Sequence, residues 1–277
     1  ITSHYKAGAM SAAINEVNYS IIIPTHMRAK LLERAIQSIK NQSLPQSHEI
    51  IVVSDCIDEQ TDKVCQQNLT ATDTYIRRSG MKGPSDSRNL GLQIAKGKNI
   101  LFLDDDDAWN AELFKNLHEC ELLEAGNPIY FNGTVVKESR TANGPIFNSE
   151  SFLDNKNKLN DHVFVKNQVH MSCFAFPSYI LKNIRFDPYM RAYEDWDFLL
   201  SVYKVKKAQH VNFSGSIVYE VEDNTTDRRG SSKEANDFNA FLDYLYVYRR
   251  HPVNSDLKQK RADLFASTGL IIPTEYF

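Results

Sequence analysis

The sequence predicts an α/β protein whose open, mostly parallel sheet is flanked by helices. Continuous apolar, β-branched runs of strand length recur at residues 20–25, 49–54 and 99–103, the pattern of parallel strands buried on both faces. Segments with helical spacing of apolar residues lie between these runs, which gives the alternation typical of a parallel sheet. Ligands of such sheets bind beyond the carboxyl ends of the strands, so residues directly after each strand are the first site candidates.

The first half of the chain divides into regular elements. Leu32, Ile36 and Ile39 repeat at helical spacing between the first two strands, which predicts a β-α-β unit. In order, the predicted elements are strand 20–25, helix 29–42, strand 49–54, helix 63–69, strand 74–78, helix 85–95 and strand 99–103. This alternation predicts a Rossmann-like sheet up to about residue 110.

The second half is less regular. The predicted elements are helix 111–125, short strands within 129–136, an Asn-rich loop at 140–161, helix 194–204, strand 216–221, a mobile polar loop at 222–232 and an amphipathic helix at 235–250. We expect residues 1–17 to be a tag and linker, because residues 1–10 resemble a translated cloning site. Residues 18–110 and 111–232 then form two halves of one domain, followed by a helical segment at 233–277.

Composition excludes several classes of protein. A net charge of −3 and a pI near 6.3 give no overall basic field for nucleic acid. No apolar run reaches the roughly 18–20 residues of a membrane span. The cysteines show no zinc-binding spacing and predict reduced thiols in the cytoplasm: Cys56, Cys65, Cys120 and Cys173.

The basic C-terminal end leaves two interpretations open. It contains Lys258, Lys260 and Arg261, close to the aromatic residues of the segment 235–250. Basic and aromatic residues on an amphipathic helix are typical of contact with a membrane surface. The alternative, which we favour, is a helix packed on the body of the protein.

Four consecutive carboxylates, Asp104, Asp105, Asp106 and Asp107, follow the apolar strand 99–103. Two like charges ~4 Å apart repel by about 4 kcal/mol at an effective dielectric constant of ~20, so such a cluster favours a bound cation. Hard oxygen ligands indicate Mg²⁺ or Mn²⁺, which would neutralise a diphosphate leaving group. The alternative is a solvated acidic turn.

A second acidic group, Glu194, Asp195 and Asp197, opens a predicted helix. Acids at this position also stabilise a helix through its dipole, so capping and catalysis are equally good interpretations from chemistry alone. In the catalytic interpretation Asp195 is a general base that takes a proton from a hydroxyl group. Two weaker candidates are Arg88, near the start of the predicted helix 85–95, for binding a phosphate or a base edge, and Asp55, directly after the strand 49–54, for accepting a base N–H.

Four segments together resemble the family two glycosyltransferases, which have a GT-A fold. They are SIIIPTHMR at 20–28, IIVVSD at 50–55, SRNLGLQIAKGKNILFLDDDD at 87–107 and YEDWDF at 193–198. The resemblance implies transfer of a sugar from a nucleotide diphosphate, with UDP favoured, to a saccharide or glycolipid acceptor. It also implies a role in bacterial surface polysaccharide or lipopolysaccharide synthesis, in the cytoplasm or at the inner face of the membrane.

The family pattern also assigns roles to residues of this chain. It implies a nucleotide cradle of Pro24, Thr25, Asp55 and Arg88, with Asp104 and Asp105 contacting ribose or metal, and Asp106 with Asp104 as ligands of Mn²⁺ or Mg²⁺. Asp195 would be the general base of an inverting displacement. The acceptor hydroxyl would attack the anomeric carbon opposite the leaving diphosphate.

The chain departs from the family pattern at three places. The usual PTYN reads Pro24-Thr25-His26-Met27, and only the second acid of VDDGS is present, as Asp55. The region 219–229 lacks the histidine that many members use as a metal ligand. Within this region Glu222, Asp223 or Asn224 could replace the histidine as a metal ligand. A candidate lid over the diphosphate follows: Thr225, Thr226, Arg228 and Arg229.

Two other function classes are weighed against this interpretation. A sugar nucleotidyltransferase shares a similar core but needs a glycine-rich phosphate loop, and residues 24–28 contain no glycine. A non-catalytic sugar or nucleotide binding module would keep Asp106 without needing Asp195.

Overall fold

The computed structural model describes residues 16–141, 144–222 and 238–277. Almost all of the predicted tag and most of the loop at 222–232 lie outside these residues. The same is true of the lid candidates Thr225, Thr226, Arg228 and Arg229, and of two candidate metal ligands, Asp223 and Asn224.

The described residues form a mixed α/β structure. Its strands are β1 (Tyr19–Thr25), β2 (His48–Ser54), β3 (Thr74–Arg77), β4 (Asn99–Phe102), β5 (Ala108–Trp109), β6 (Ile129–Thr141), β7 (Gly144–Leu153), β8 (Phe174–Pro177) and β9 (Gln209–Val221). Its helices are α1 (Ala29–Lys40), α2 (Glu59–Asn68), α3 (Pro84–Ile94), α4 (Leu113–His118), α5 (Glu121–Glu124), α6 (Glu194–Val205), α7 (Phe238–Arg250) and α8 (Ser255–Ser267).

One sheet connects the two halves of the chain. Its strand order is β3-β2-β1-β4-β8-β6-β9-β5, and β7 pairs with β6 outside this path. The first four strands are parallel, whereas β8 runs antiparallel to both β4 and β6. The predicted α/β class is confirmed. The carboxyl ends of β1, β2 and β4 lie side by side, which brings the residues after each strand to one edge of the sheet.

The core is centred on β1, in which every residue is buried. Helix α3 packs closely on this strand at Gly91. A Cβ atom at this position would lie 2.5 Å from the Cγ2 atom of Ile22. A side chain at Gly91 would push the helix outwards. The glycine therefore lets α3 hold Arg88, one turn earlier, close to the end of the sheet.

Two predictions about the second half are wrong. Residues 140–161, expected as a loop, begin with the hairpin of β6 and β7, and helix 111–125 is divided into α4 and α5 around Glu119 and Cys120. In the hairpin, Val136, Glu138 and Arg140 alternate along one face of β6, and a bulge follows Lys137. Polar residues on both strands hid this alternation in the sequence.

The C-terminal helices pack on the body of the protein. The hydroxyls of Tyr244 and Tyr248 both donate to the carbonyl of Val165, at 2.7 and 2.8 Å. Arg261, expected on a basic surface, is buried instead and donates to main-chain carbonyls, including that of His251 at 2.8 Å. Within the described ranges, every helix is too short or too polar to cross a bilayer.

Candidate functional site

A cleft of about 530 Å³ opens at the carboxyl ends of β1, β2 and β4. Among the residues that line it are the nucleotide cradle and the acidic ligands that the family pattern implies: Pro24, Thr25, Asp55, Arg88, Asp104, Asp105 and Asp106. Glu194 is also a lining residue, whereas Asp195, the predicted base, is not. The structure therefore brings together segments that are up to 170 positions apart in sequence, from Pro24 to Glu194.

The four consecutive aspartates divide into two pairs. Asp104 and Asp106 have side chains that are 39% and 25% exposed, and both line the cleft. Asp105 is buried and accepts hydrogen bonds from the Thr25 hydroxyl at 2.7 Å and from Arg28 at 3.1 Å. Asp107 is also buried. The first pair is available to a ligand, and the second pair joins the strands around the cleft.

Burial raises the pKa values of the two buried aspartates, Asp105 and Asp107. Removal from water raises the pKa of Asp105 to about 6, although Arg28 acts in the opposite direction. Burial also raises the pKa of Asp107 well above its ordinary value, and its contacts are the Ser172 hydroxyl and the Tyr219 N–H, both at 3.1 Å.

Arg88 joins the two acidic segments. Its Nη2 atom lies 2.6 Å from Oδ1 of Asp104, and its Nη1 atom lies 3.2 Å from Oε1 of Glu194. Burial lowers the pKa of the guanidinium, but the neighbouring carboxylates more than offset this and raise it overall. Arg88 is therefore a fixed positive charge between the segments.

The second acidic segment begins at a strained residue. Tyr193 has a φ of 61°, in the left-handed region, immediately before α6. Asp195 accepts a hydrogen bond from the N–H of Trp196 at 2.7 Å. Burial raises the pKa of both Glu194 and Asp195, with the positive charge of Arg88 opposing it. A raised pKa is what a general base working near neutral pH requires.

Asp55 is held on two sides. It accepts the Gly83 N–H at 2.7 Å and contacts Nδ1 of His26 at 2.5 Å. Gly83 has a φ of 147°, which favours glycine at the start of α3. Ligand atoms of His26, Asp55 and Cys56 lie within 4.8 Å of one another. Sequence reasoning treated His26 only as a departure from a motif.

A group of arginines surrounds Asp106. Arg28 and Arg140 both contact its Oδ2 atom, at 3.1 and 3.3 Å, and Arg34 donates to its carbonyl at 2.7 Å. Sequence reasoning missed all three. Arg28 lies directly after β1 and the strand-end rule would have found it, whereas Arg140 fell in the segment interpreted as a loop.

The carboxylates of Asp104 and Asp106 are suitable for a hard divalent cation. Arginines occupy Oδ1 of Asp104 and Oδ2 of Asp106, while the second oxygen of each has no hydrogen-bond partner within the part of the chain that the structure describes. Hard oxygen donors on one cleft are the ligands of Mg²⁺ and Mn²⁺. The residues present therefore fit such an ion.

Comparisons with known proteins agree with one another. The family model described as glycosyl transferase family 2 matches residues 20–179. The putative colanic acid biosynthesis glycosyl transferase WcaA of Escherichia coli strain K12 is 27% identical over 89% of this chain and 85% of that protein. A Campylobacter jejuni enzyme, GalNAc(5)-diNAcBac-PP-undecaprenol beta-1,3-glucosyltransferase, is 41% identical over 32% of this chain and 29% of its own length.

A solved structure supports the fold. Staphylococcus aureus TarS 1–349 in complex with UDP-GlcNAc matches with a TM-score of 0.63 and 16% identity, over 92% of this chain and 74% of that one. At this identity the likeness concerns the fold, and it confirms the GT-A type predicted from the sequence. The two halves of this chain thus contribute strands to one sheet.

Proposed function

Since the chain belongs to glycosyl transferase family 2 and is a glycosyltransferase, we propose that it uses a UDP-linked sugar donor and a divalent metal ion. The transfer inverts the anomeric centre, and the acceptor is a saccharide or a glycolipid. Residues 18–110 supply the donor side, residues 111–232 supply the acceptor side, and the helices of 233–277 support the acceptor side.

One observation carries this proposal. Arg88 contacts Asp104 and Glu194 at once, so the acidic turn after β4 and the start of α6 lie at the same cleft. Metal binding and proton abstraction are separate tasks that need separate carboxylates. A binding module without catalysis would use the second group only to stabilise the start of α6 and to hold Arg88.

Metal binding, proton abstraction and nucleotide binding are assigned to separate residues. Asp104 and Asp106 would hold Mn²⁺ or Mg²⁺, which supplies positive charge to the departing diphosphate when it is bound. Asp195 accepts the proton of the attacking hydroxyl, and its raised pKa suits that task. Pro24, Thr25 and Asp55 border the part of the cleft proposed for the nucleotide.

The names of the relatives support the proposed pathway and location. The E. coli relative is named for colanic acid biosynthesis and the Campylobacter relative for an undecaprenol-linked saccharide. We therefore place the acceptor in bacterial surface polysaccharide synthesis, on the cytoplasmic side of the membrane. Lys260 is exposed on α8 and is available for contact with anionic lipid.

A thermal-shift panel tests the donor site. UDP, GDP, CDP and dTDP are each added with and without Mn²⁺ to the wild type and to Asp106→Ala. We expect UDP to raise the melting temperature only with Mn²⁺ and only in the wild type, because a ligand stabilises the state that binds it. Stabilisation by another nucleotide would correct the donor base, and no stabilisation by any of them would remove the main support of the proposal.

A further inference from the structure

Arginines and carboxylates alternate outward from the cleft, which Arg28 and Asp106 line, to Arg140 and Glu138 on β6, which do not line it. Arg28 contacts Asp105 and Asp106, both at 3.1 Å, and Arg140 contacts Asp106 at 3.3 Å and Glu138 at 3.2 Å. The two guanidinium groups therefore share one oxygen, Oδ2 of Asp106. We propose that Arg28 and Arg140 bind the donor diphosphate and that they rest on Asp106 when no ligand is present.

Charge balance leads to this inference, which depends on the proposed function. Two guanidinium groups already contact Oδ2 of Asp106, while Asp105 and Glu138 balance part of their charge, so a cation that arrives alone competes with both arginines for this oxygen. A diphosphate brings negative oxygens, which guanidinium groups bind with two parallel hydrogen bonds. When it enters, Arg28 and Arg140 transfer from Asp106 to the phosphates. Asp106 is then released for the metal ion.

Glu138 sets the orientation of the Arg140 side chain. The Glu138 side chain is only 3% exposed and contacts Nε of Arg140, while Nη2 of the same arginine points to Asp106. Arg34 holds the other side of Glu138 through contacts of 2.7 and 3.3 Å. Arg34 itself stacks on the Tyr219 ring, 3.4 Å from its centroid. Glu138 is thus a positioning residue that Arg34 holds in place, and it fixes Nε of Arg140 while Nη2 faces Asp106.

The consequence is cooperation between metal and nucleotide. Each ligand therefore favours binding of the other. The diphosphate draws Arg28 and Arg140 away from Asp106, and the metal ion would compensate the negative charge that the diphosphate adds. By linkage, UDP must tighten Mn²⁺ binding by the same factor as Mn²⁺ tightens UDP binding.

The test measures Mn²⁺ affinity by electron paramagnetic resonance of the free ion, with and without UDP. In the wild type we expect UDP to tighten Mn²⁺ binding about tenfold. In Arg28→Ala and Arg140→Ala we expect Mn²⁺ alone to bind more tightly than in the wild type, and the gain on adding UDP to fall to about twofold or less. Glu138→Gln should lie between these values, and Arg140→Lys should retain part of the gain, because it keeps the charge but loses the planar fork.

Arg77→Ala is the matched control. Arg77 also forms an ion pair with an aspartate, Asp62 at 3.3 Å, but that aspartate is not part of the cleft, so removal of Arg77 should leave both affinities unchanged. Melting temperatures of all variants without ligand identify any that fail to fold, and Arg140→Lys then replaces Arg140→Ala. Wild-type coupling that survives in both alanine variants overturns the inference alone. A wild type that binds neither UDP nor Mn²⁺ overturns the proposed function as well.

Discussion

The two acidic segments of the cleft are held in place by different parts of the chain. The buried aspartates after β4 are fixed by neighbours that include Thr25, at the end of an adjacent strand, and Ser172. The buried aspartate of the second segment, Asp197, contacts instead Nε2 of His251 at 2.8 Å and Arg250 at 3.1 Å. The first segment, on the proposed donor side, therefore depends on the sheet, whereas the second segment, on the proposed acceptor side, depends on the C-terminal helices.

The largest effect is expected at Asp195, the proposed base of the second segment. Asp195→Asn should reduce kcat by about 10² to 10⁴, the usual contribution of a general base, while UDP still binds with Mn²⁺. Steady-state kinetics together with the thermal shift separate turnover from donor binding.

Glu194→Gln is the matched variant, because Glu194 is the neighbouring acid that lines the cleft. We expect it to keep kcat within about tenfold of the wild type, since the amide retains a contact with Arg88. If Glu194→Gln loses turnover and Asp195→Asn keeps it, Glu194 is the base and our assignment of Asp195 is wrong.

The next effect concerns stability. Asp197→Ala should lower the free energy of unfolding by about 3 kcal/mol, because it removes a fully buried carboxylate that contacts His251 and Arg250 and so loosens α6 from the C-terminal helices. Asp187→Ala is the control, since Asp187 contacts the same arginine, Arg250, at 3.0 Å near the surface. We expect that control to cost about 1 kcal/mol or less in urea unfolding. Equal losses would show that Arg250 alone, and not burial, stabilises the contact.

Most of the donor side could be predicted from the sequence. Buried strands give continuous apolar runs, and a parallel sheet brings the residues after them to one edge, so Asp55, Asp104 and Asp106 could be placed at a common site. The division of the four aspartates into cleft and interior pairs could not be predicted. It depends on partners such as Thr25 and Ser172, which carry no pattern in sequence.

The acceptor side was harder to predict for a physical reason. Glu138 pairs with Arg140 two positions along β6 and with Arg34, which is distant in sequence, and a buried carboxylate in β6 looks like a solvated loop residue when its distant partner is unknown. Arg261 was misplaced for the same reason, because its long side chain is satisfied by main-chain carbonyls that no motif reveals. The helix at 194 was predicted because its acids and apolar residues follow local rules.

The pH dependence of activity gives a smaller effect that bears on the same comparison. Asp195 works as a base only when it is deprotonated, and burial raises its pKa. Activity should therefore rise with pH through that raised pKa, so that the acidic limb of kcat/KM lies above about 4, the ordinary value of an aspartate. The residual activity of Asp195→Asn should lack this limb. A limb at about 4 in the wild type would mean that Asp195 is solvated during the reaction.

The smallest effect is expected for the interior pair of the first segment. Asp107→Asn keeps an oxygen for the Tyr219 N–H, and its amide can donate to the Ser172 hydroxyl, so both contacts survive in a neutral form. We expect a loss of about 1 kcal/mol or less in the free energy of unfolding in urea, with UDP and Mn²⁺ binding unchanged.

Asp106→Asn is expected to affect binding and not stability. It should leave the free energy of unfolding nearly unchanged and remove the metal-dependent gain in UDP binding. If Asp107→Asn also removes that gain, the two pairs of aspartates act as one unit, and the division between cleft and interior does not describe their function.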